Sequence, residues 1–305
     1  MKIAKAIKLL LTNNKGFIIR FLQKYPFFSS DEFYIKKKFE YMMGKPLNLR
    51  SPVTFNEKIQ WLKLFYQEGS LTDLVDKVKV KDFVAKTIGK QYLIPTIGVW
   101  DSFSKINFDN LPEQFVLKTN HDFGGVVICK DKKIFDFQGG GAKLNKHLKR
   151  NFFSIGREWA YKNVTPKILA EQYLGKLGDD DVKDYKFYCF DGEPKLLLVT
   201  SGRQKGHENM KWNFYDINFN PLSLTKSNIA SDFNAEKPKN FEVMVELSKK
   251  LAVGFPFVRT DFYNIDGEIF FGELTFYPGG GYGKFEPEEW DYKLGSFLNL
   301  PMKTN

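Results

Sequence analysis

The sequence predicts an α+β fold whose sheets are antiparallel. Three observations support this prediction. The first 70 residues show the apolar spacing of helices, runs of period two begin at residue 115, and helices and hairpins occur in clusters without a regular β-α-β alternation. With 305 residues, 43% of them hydrophobic and 16% aromatic, the chain can fill the core of one large two-lobed unit or of two small domains.

Turn and cap residues mark the predicted helices. In chain order, these helices follow a turn at residues 51–57 and then cover residues 76–90, 142–152 and 241–253. The second helix ends at Gly89, and the third follows a loop predicted at residues 136–141.

Short runs rich in β-branched and aromatic residues mark the strands. They cover residues 114–118, 126–129, 168–174, 184–190, 195–200, 257–263 and 268–276. Three hairpin turns are predicted between them, at Gly124-Gly125, Asp191-Gly192 and Asp266-Gly267.

Charge and cysteine content limit the possible functions. The formal net charge of +10 calls for an anionic partner, such as a nucleotide, an acidic glycan, an acidic membrane face or a nucleic acid. The lysine-rich coding of an AT-rich genome explains the same surplus almost as well. Cys129 and Cys189 form no C-x-x-C pair, which excludes a disulfide scaffold and a zinc ribbon and fits a reducing cytosol.

The amino-terminal segment is basic and amphipathic. Residues 1–24 carry six basic residues and no acidic one, and their apolar residues recur at helical spacing. The apolar run is too short to span a bilayer, and no small-residue cleavage site follows it. We favour a helix that packs on its own domain, with peripheral contact to an anionic membrane surface as the alternative.

Two acids of the last predicted hairpin are candidates for a metal site. Asp261 and Glu273 lie among mostly apolar residues. A tight two-residue turn would place Asp261 opposite Gly272, whereas one extra residue would place it opposite Glu273, with Thr275 on the same face. Two carboxylates on one face need a cation between them, and hard oxygens suit Mg²⁺. The alternatives are exposed acids on the hairpin rim or an ion pair with Arg259.

A glycine loop is a candidate phosphate site. Lys118 ends a predicted strand, and Gly124 and Gly125 lie in the loop that follows. Backbone N–H groups at such a loop can bind phosphates, helped by a nearby lysine, but a plain hairpin turn is the simpler explanation. The loop matches neither the P-loop nor the Rossmann pattern.

The order of these elements resembles the serial layout of the ATP-grasp superfamily, and specifically its TupA-like branch, named for teichuronopeptide biosynthesis. The resemblance extends from about Leu47 to the carboxyl terminus. It rests on the segments Leu47-Asn48-Leu49, Thr54-Phe55-Asn56-Glu57-Lys58-Ile59-Gln60-Trp61, Tyr92-Leu93-Ile94-Pro95, Phe115-Val116-Leu117-Lys118-Thr119-Asn120-His121-Asp122, Asp184-Tyr185-Lys186-Phe187-Tyr188-Cys189-Phe190 and Gly272-Glu273-Leu274-Thr275-Phe276-Tyr277-Pro278-Gly279.

The resemblance implies an ATP-grasp fold in which two α+β lobes grip ATP. A helical region at residues 1–70 then precedes a first lobe with its lid at residues 71–174 and a second lobe at residues 175–305, which holds the Mg²⁺ and substrate site.

The resemblance also implies an ATP site. Its expected residues are Lys81 and Lys118 for the phosphates, the loop from His121 to Gly124 and Gly125 as a flexible cover, Glu171, Gln172, Tyr173 and Leu174 for the adenine, and Asp184 for the ribose.

The implied catalytic and metal residues lie mainly in the second lobe. Mg²⁺ ligands are expected at Asp261, Glu273 and Thr275, and Arg259, Lys118 and Lys186 are expected to act on the transferred phosphoryl group. The superfamily usually has asparagine where Thr275 stands, so we expect a weaker or water-mediated third contact, and the case for two metal ions weakens.

The implied activity is that of an ADP-forming carboxylate–amine ligase working through an acyl phosphate. In this branch the carboxylate is expected on a uronic acid or acidic residue of a surface polysaccharide, with an amine or amino acid as the second substrate, in the cytoplasm and without a nucleic-acid partner. Candidate glycan-binding residues are Lys186, Arg203, Lys205 and His207, and a substrate could also approach the Gly279-Gly280-Gly281 turn closely.

Three other functions stay open. An ATP-grasp sugar kinase would leave a stable phosphorylated sugar, and a non-catalytic glycan-binding module would keep its binding when Asp261 is changed. A glycosyltransferase would need a nucleotide sugar, but the sequence has no D-x-D motif in a strand-end loop apart from the run Asp179-Asp180-Asp181.

Overall fold

A computed structural model describes residues 14–175, 182–202, 210–226 and 233–303. The predicted helical region is present, with α1 at Asn14–Lys24, α2 at Asp31–Met43 and α3 at Phe55–Phe65. Thr54 and Glu57 form a reciprocal capping box at the start of α3. In the part of the chain that the structure describes, none of the helices is both long and apolar enough to cross a bilayer.

The predicted helix at residues 76–90 is wrong in extent. The structure has a short helix α4 at Ser70–Val75, a turn, and then α5 at Val80–Thr87. The Asp76 side chain accepts a hydrogen bond from the backbone N–H of Val78, so this aspartate stabilises the turn between the two helices instead of starting the second one.

The first sheet has four antiparallel strands. They are β1 at Thr96–Trp100, β2 at Phe115–Thr119, β3 at Val126–Cys129 and β4 at Ile168–Gln172. The spatial order is β1-β4-β2-β3, so β4 lies between β1 and β2. The sheet therefore places the carboxyl-terminal half of β4 next to β2, the strand that carries Lys118.

The loop predicted at residues 136–141 is also wrong. Helix α6 spans Phe137–Leu148, with Asp136 as its amino-terminal cap, and α7 spans Phe152–Gly156. Glycines normally disfavour a helix interior, but here they allow close packing, since a Cβ on Gly141 would lie 2.9 Å from the Phe103 ring.

The second sheet has five antiparallel strands. They are β5 at Asp184–Phe190, β6 at Glu193–Ser201, β7 at Lys211–Tyr215, β9 at Phe257–Ile265 and β10 at Glu268–Thr275. Their spatial order is β10-β9-β5-β6-β7. Because β5 lies in the middle, residues of β5 and β9 that face each other share one face of the sheet with residues of β10.

Short elements close the second sheet. Strands β8 at Thr225–Lys226 and β11 at Phe285–Glu286 pair with each other, helix α8 covers Phe241–Ala252, and α9 covers Glu289–Phe297. The largest core cluster joins α3, α4, α5 and α8 to this sheet. The division at residues 70 and 174 stays a prediction.

Candidate functional site

The last hairpin places two acids opposite each other. A two-residue turn at Asp266-Gly267 pairs Ile265 with Glu268. A bulge at Gly272 then shifts the register, so that Phe271 pairs with Phe262 but Glu273 pairs with Asp261. The structure thus combines the tight turn with one extra residue, and Asp261 and Glu273 share a face.

Two cations contact Asp261. The Arg259 Nε and Nη2 atoms donate to its two carboxylate oxygens at 2.7 and 2.6 Å, and Lys186 Nζ lies 2.9 Å from Oδ2. Arg259 Nη2 also reaches Glu273 Oε1 at 3.3 Å and Thr275 Oγ1 at 3.0 Å. The predicted ion pair and the predicted shared face are therefore both present.

Asp184 is part of the same charged group. It lies on β5 two residues before Lys186, and Lys186 Nζ is 3.2 Å from Asp184 Oδ1. The Thr200 hydroxyl donates to Asp184 Oδ2 at 3.0 Å. Asp184 and Asp261 are both buried, and the lysine between them supplies the countercharge that buried carboxylates need.

A second ionic group forms where α5 meets the first sheet. Glu171 binds Lys81 through Oε1 and Lys118 through Oε2, each at 2.6 Å. Burial by itself would raise the pKa of Glu171, but the two ammonium groups outweigh it and lower the pKa. One carboxylate therefore balances two lysines that the sequence places 37 residues apart (118 − 81).

The glycine loop is anchored from both sides. The Asp122 side chain accepts hydrogen bonds from the Thr119 hydroxyl and, at 2.5 Å, is bound by His147 Nδ1. Lys77 Nζ donates to the Asp122 carbonyl oxygen at 2.7 Å. A Cβ on Gly125 would lie 1.9 Å from Thr119 Oγ1, so this position requires glycine for space.

The position of His121 differs from the prediction. Its side chain is buried, Nε2 contacts the carbonyl oxygen of Arg150 at 3.1 Å, and it does not line the cleft described below. Phe123 and Gly124 are the exposed part of the loop. The segment that could move over a ligand is therefore shorter than predicted.

A cleft of about 1160 Å³ joins the two ionic groups. Of the predicted site residues, those on its wall are Lys81, Lys118, Gly124, Glu171, Gln172, Tyr173, Leu174, Asp184, Asp261 and Glu273. Arg259, Lys186 and Thr275 lie behind the wall, where Arg259 and Lys186 contact Asp261 directly and Thr275 contacts Arg259. Predicted glycan residues Arg203, Lys205 and His207 lie outside the described residues.

Comparison with known families decides the relationship of the chain. A sequence model of the TupA-like ATP-grasp family matches residues 57–299. The chain belongs to the TupA-like ATP-grasp family.

Solved structures with similar folds include other ATP-grasp proteins. D-alanine–D-alanine ligase from Bacillus anthracis, complexed with ATP, is 16% identical over 67% of this chain and 55% of its own length, with a TM-score of 0.37. The Helicobacter pylori ligase is 18% identical over 83% and 68%, with a TM-score of 0.41. The ATP-grasp ligase PsnB is 9% identical over 96% and 74%, with a TM-score of 0.41. No curated protein matches the sequence.

The donor atoms in this TupA-like chain fit one Mg²⁺ ion. Asp261 and Glu273 offer hard carboxylate oxygens on one face, and Thr275 offers a hydroxyl. Glu273 keeps 40% of its side chain exposed, which leaves it open to the cleft. Within the described ranges no group of three His, Cys, Asp or Glu residues could hold a metal ion, so phosphate oxygens or water have to complete the shell.

Sequence reasoning missed a buried basic cluster beside this site. Lys63, 1% exposed, donates to the Gly280 carbonyl oxygen at 2.6 Å, and Lys38 donates to the Ile155 carbonyl oxygen at 2.6 Å. Burial lowers the pKa of both lysines, that of Lys38 to about 8, and Glu158 opposes the shift. The available signal was Lys63 on the apolar face of α3, three residues after the buried Gln60.

Proposed function

We propose that this TupA-like protein is an ADP-forming carboxylate–amine ligase that uses ATP and Mg²⁺. One observation carries the proposal: the Asp261–Glu273 pair, with Arg259 and Lys186 against Asp261, faces the cleft that the Lys81–Glu171–Lys118 group lines. Family membership supports the same assignment.

The proposed ATP site follows the cleft. Lys81 and Lys118 bind phosphate oxygens, and the loop tip at Gly124 covers them. The segment from Glu171 to Leu174 holds the adenine by backbone and side-chain hydrogen bonds, and Asp184 contacts the ribose. In the structure both lysines bind Glu171, so they have to exchange one ionic partner for another when the phosphates arrive.

Catalysis in this proposal is mainly positioning and charge neutralisation. Asp261, Glu273 and Thr275 hold Mg²⁺, which neutralises phosphate charge when bound. Arg259 and Lys186 lie beside these acids and stabilise the charge that develops as the γ-phosphoryl group passes to a substrate carboxylate. An amine then attacks the acyl phosphate, the C–O bond to phosphate breaks, and an amide, phosphate and a proton are released.

We propose that the activated carboxylate belongs to a uronic acid or an acidic residue of a surface polysaccharide. The net charge of +10 favours an anionic substrate. The amine partner is a simple amine or an amino acid.

The experiment is product analysis with ATP, Mg²⁺, a panel of uronic acids and a panel of amines. A ligase forms ADP, phosphate and an amide only when both substrates are present. A stable phosphorylated sugar formed without amine would indicate the kinase instead. Dependence on a nucleotide sugar, with no use of ATP, would indicate a glycosyltransferase and would overturn the proposal.

We further propose that the protein works in the cytoplasm, in peripheral contact with the anionic inner face of the membrane. The observation that favours this contact is a group of exposed aromatic rings after α1. Phe27 and Phe28 are 76% and 62% exposed with ring centroids 4.5 Å apart, and Phe21 is 5.5 Å from Phe28. Arg20 and Lys24 are exposed beside them, which suits a surface that inserts rings among anionic headgroups.

A further inference from the structure

A buried lysine without a counter-ion lies against the glycine turn that follows β10. Lys226 on β8 is 9% exposed. Its Nζ lies 5.3 Å from the centroid of the Phe285 ring, and within the described ranges it makes neither a hydrogen bond nor an ion pair. Buried lysines are almost always paired, because an unpaired charge loses its hydration.

The turn leaves space for this side chain. A Cβ on Gly279 would lie 3.2 Å from Lys226 Nζ, and a Cβ on Gly283 would lie 1.9 Å from its Cε. Gly279 has a left-handed φ of 62°, but Gly283 does not have a left-handed φ. Glycine at position 283 is therefore explained by the room it gives to Lys226, not by backbone conformation.

The lysine on the other side of the turn shows what a structural lysine looks like. Lys63 Nζ donates to the Gly280 carbonyl oxygen at 2.6 Å and to Gln60 Oε1 at 3.0 Å. Its ammonium group thus has acceptors within the protein and holds the turn in place. Lys226 has no such acceptors, so an acceptor from outside the chain is the missing partner.

The position of the turn connects Lys226 with the proposed reaction. Thr275 ends β10, and the turn at Pro278–Gly281 follows within three residues. Arg259 and Lys186, the cations at the metal pair, are already engaged by Asp261. Lys226 is thus a separate cation beyond the end of the strand that carries Glu273.

We propose that Lys226 binds a substrate carboxylate other than the one that ATP activates. This proposal rests on the ligase function proposed above. The carboxylate belongs either to an amino acid that supplies the amine or to a second acidic group on the acid substrate. In either case Lys226 orients a substrate, and the Gly279–Gly283 segment lets that substrate approach the backbone.

The first experiment needs no knowledge of the substrate. Thermal unfolding of wild type, Lys226→Met, Lys226→Arg and the control Lys211→Met, an exposed lysine at the start of β7, is measured with increasing malonate as a simple carboxylate probe. Without malonate, Lys226→Met should unfold at the same temperature as wild type or higher, because it removes an unpaired buried charge. The apparent Kd for malonate should weaken about tenfold in Lys226→Met and stay near wild type in Lys226→Arg.

Two results would overturn the proposal. One is a lower Tm for Lys226→Met without malonate, which indicates a structural lysine. The other is an unchanged malonate Kd. Gly283→Ala gives a second approach, since its methyl group displaces the ammonium but keeps the charge, and it should weaken malonate binding as well.

Kinetics identify the source of the carboxylate. With glucuronate as the acid, the KM of glycine is compared with that of glycinamide, which lacks the carboxylate. If the amine substrate carries the carboxylate, Lys226→Met raises the KM of glycine about tenfold and leaves that of glycinamide unchanged. If the acid substrate carries it, the KM of the acid rises with either amine. Absence of ADP formation by wild type would count against the ligase function, and the malonate result would still decide the role of Lys226.

Discussion

Asp261 and Glu273 lie directly opposite each other on β9 and β10 because Gly272 is an extra residue in β10. The bulge keeps the apolar neighbours Phe262 and Phe271 paired and buried, at 0% and 4% exposure. The acids therefore share the cleft side while the aromatic rings fill the core. A single inserted glycine reconciles a hydrophobic hairpin with a two-carboxylate site.

Loss of the carboxylate shared by two lysines should destabilise the protein. In Glu171→Gln, Lys81 and Lys118 lose their common partner, so the free energy of unfolding should fall by about 3 kcal/mol. Because the pKa of Glu171 is lowered, this difference should be present above the ordinary value of 4.5 and disappear as the pH falls through the lowered value. Urea unfolding measures both effects.

The matched control for this prediction is Glu113→Gln, an exposed glutamate just before β2. It should leave stability unchanged. Mg-ATP should restore part of the stability of Glu171→Gln, since phosphate oxygens replace the lost charge. Equal stability of wild type and Glu171→Gln would contradict the assigned ion pairs.

The basic cluster at Lys38 and Lys63 should make the protein more stable as the pH rises from about 8 to 10. Burial lowers both pKa values, that of Lys38 to about 8 from an ordinary 10.5. The unfolded chain therefore binds more protons in this range, and stability rises with pH. Above pH 10 the trend should weaken, because burial raises the pKa of Tyr34 in the same cluster to about 12.

Urea unfolding of Lys63→Met at pH 8 and pH 10 checks the prediction. The variant should show a smaller increase than wild type, whereas Lys86→Met, an exposed lysine of α5, should show the same increase. If Lys63→Met and wild type have equal slopes, the lysine is not desolvated in the folded protein.

A methyl group at position 125 should disturb the glycine loop. In Gly125→Ala the new Cβ meets the Thr119 hydroxyl and, at 2.9 Å, Asp122 Oδ1, so the hydrogen bond between these two side chains has to break. ATP turnover should fall about tenfold to a hundredfold because the loop is misplaced. In Gly124→Ala the methyl group meets only His147 at 3.5 Å, and turnover should fall less. The reverse order would contradict the proposed anchor.

The exposed rings after α1 should bind anionic vesicles. The double variant Phe27→Ser, Phe28→Ser should sediment with phosphatidylserine vesicles about tenfold less than wild type, since each ring contributes buried apolar area in the headgroup region. Val253→Ser, which changes a 71% exposed residue far along the chain, is the control. Equal sedimentation of the double variant and wild type would exclude this surface.

The strand pattern could be predicted from the sequence where alternation and turn residues agreed. The predicted strands at residues 126–129 and 184–190 match β3 and β5, and the hairpin turn at Asp266-Gly267 is present. The extra residue at Gly272 stayed one of two alternatives, because the choice depends on how Phe262 and Phe271 pack.

Elements that depend on tertiary contacts could not be predicted. Gly141 lies inside α6 because Phe103 packs against it, which no local propensity reveals. The pairing of Lys81 and Lys118 through Glu171 depends on β4 lying next to β2. Lys226 gave no signal in the sequence, since only the folded turn shows that its ammonium group is buried and unpaired.

The central claim is that Asp261 and Glu273 hold the Mg²⁺ that serves ATP. The most direct measurement is ADP formation at increasing Mg²⁺ concentration for wild type, Asp261→Asn, Glu273→Gln and Glu268→Gln, the last an exposed glutamate on the same strand. The account predicts at least about a hundredfold loss of turnover for the first two variants, with a higher Mg²⁺ requirement for Glu273→Gln, and wild-type behaviour for Glu268→Gln. Full ATP turnover by Asp261→Asn at wild-type Mg²⁺ dependence would contradict it.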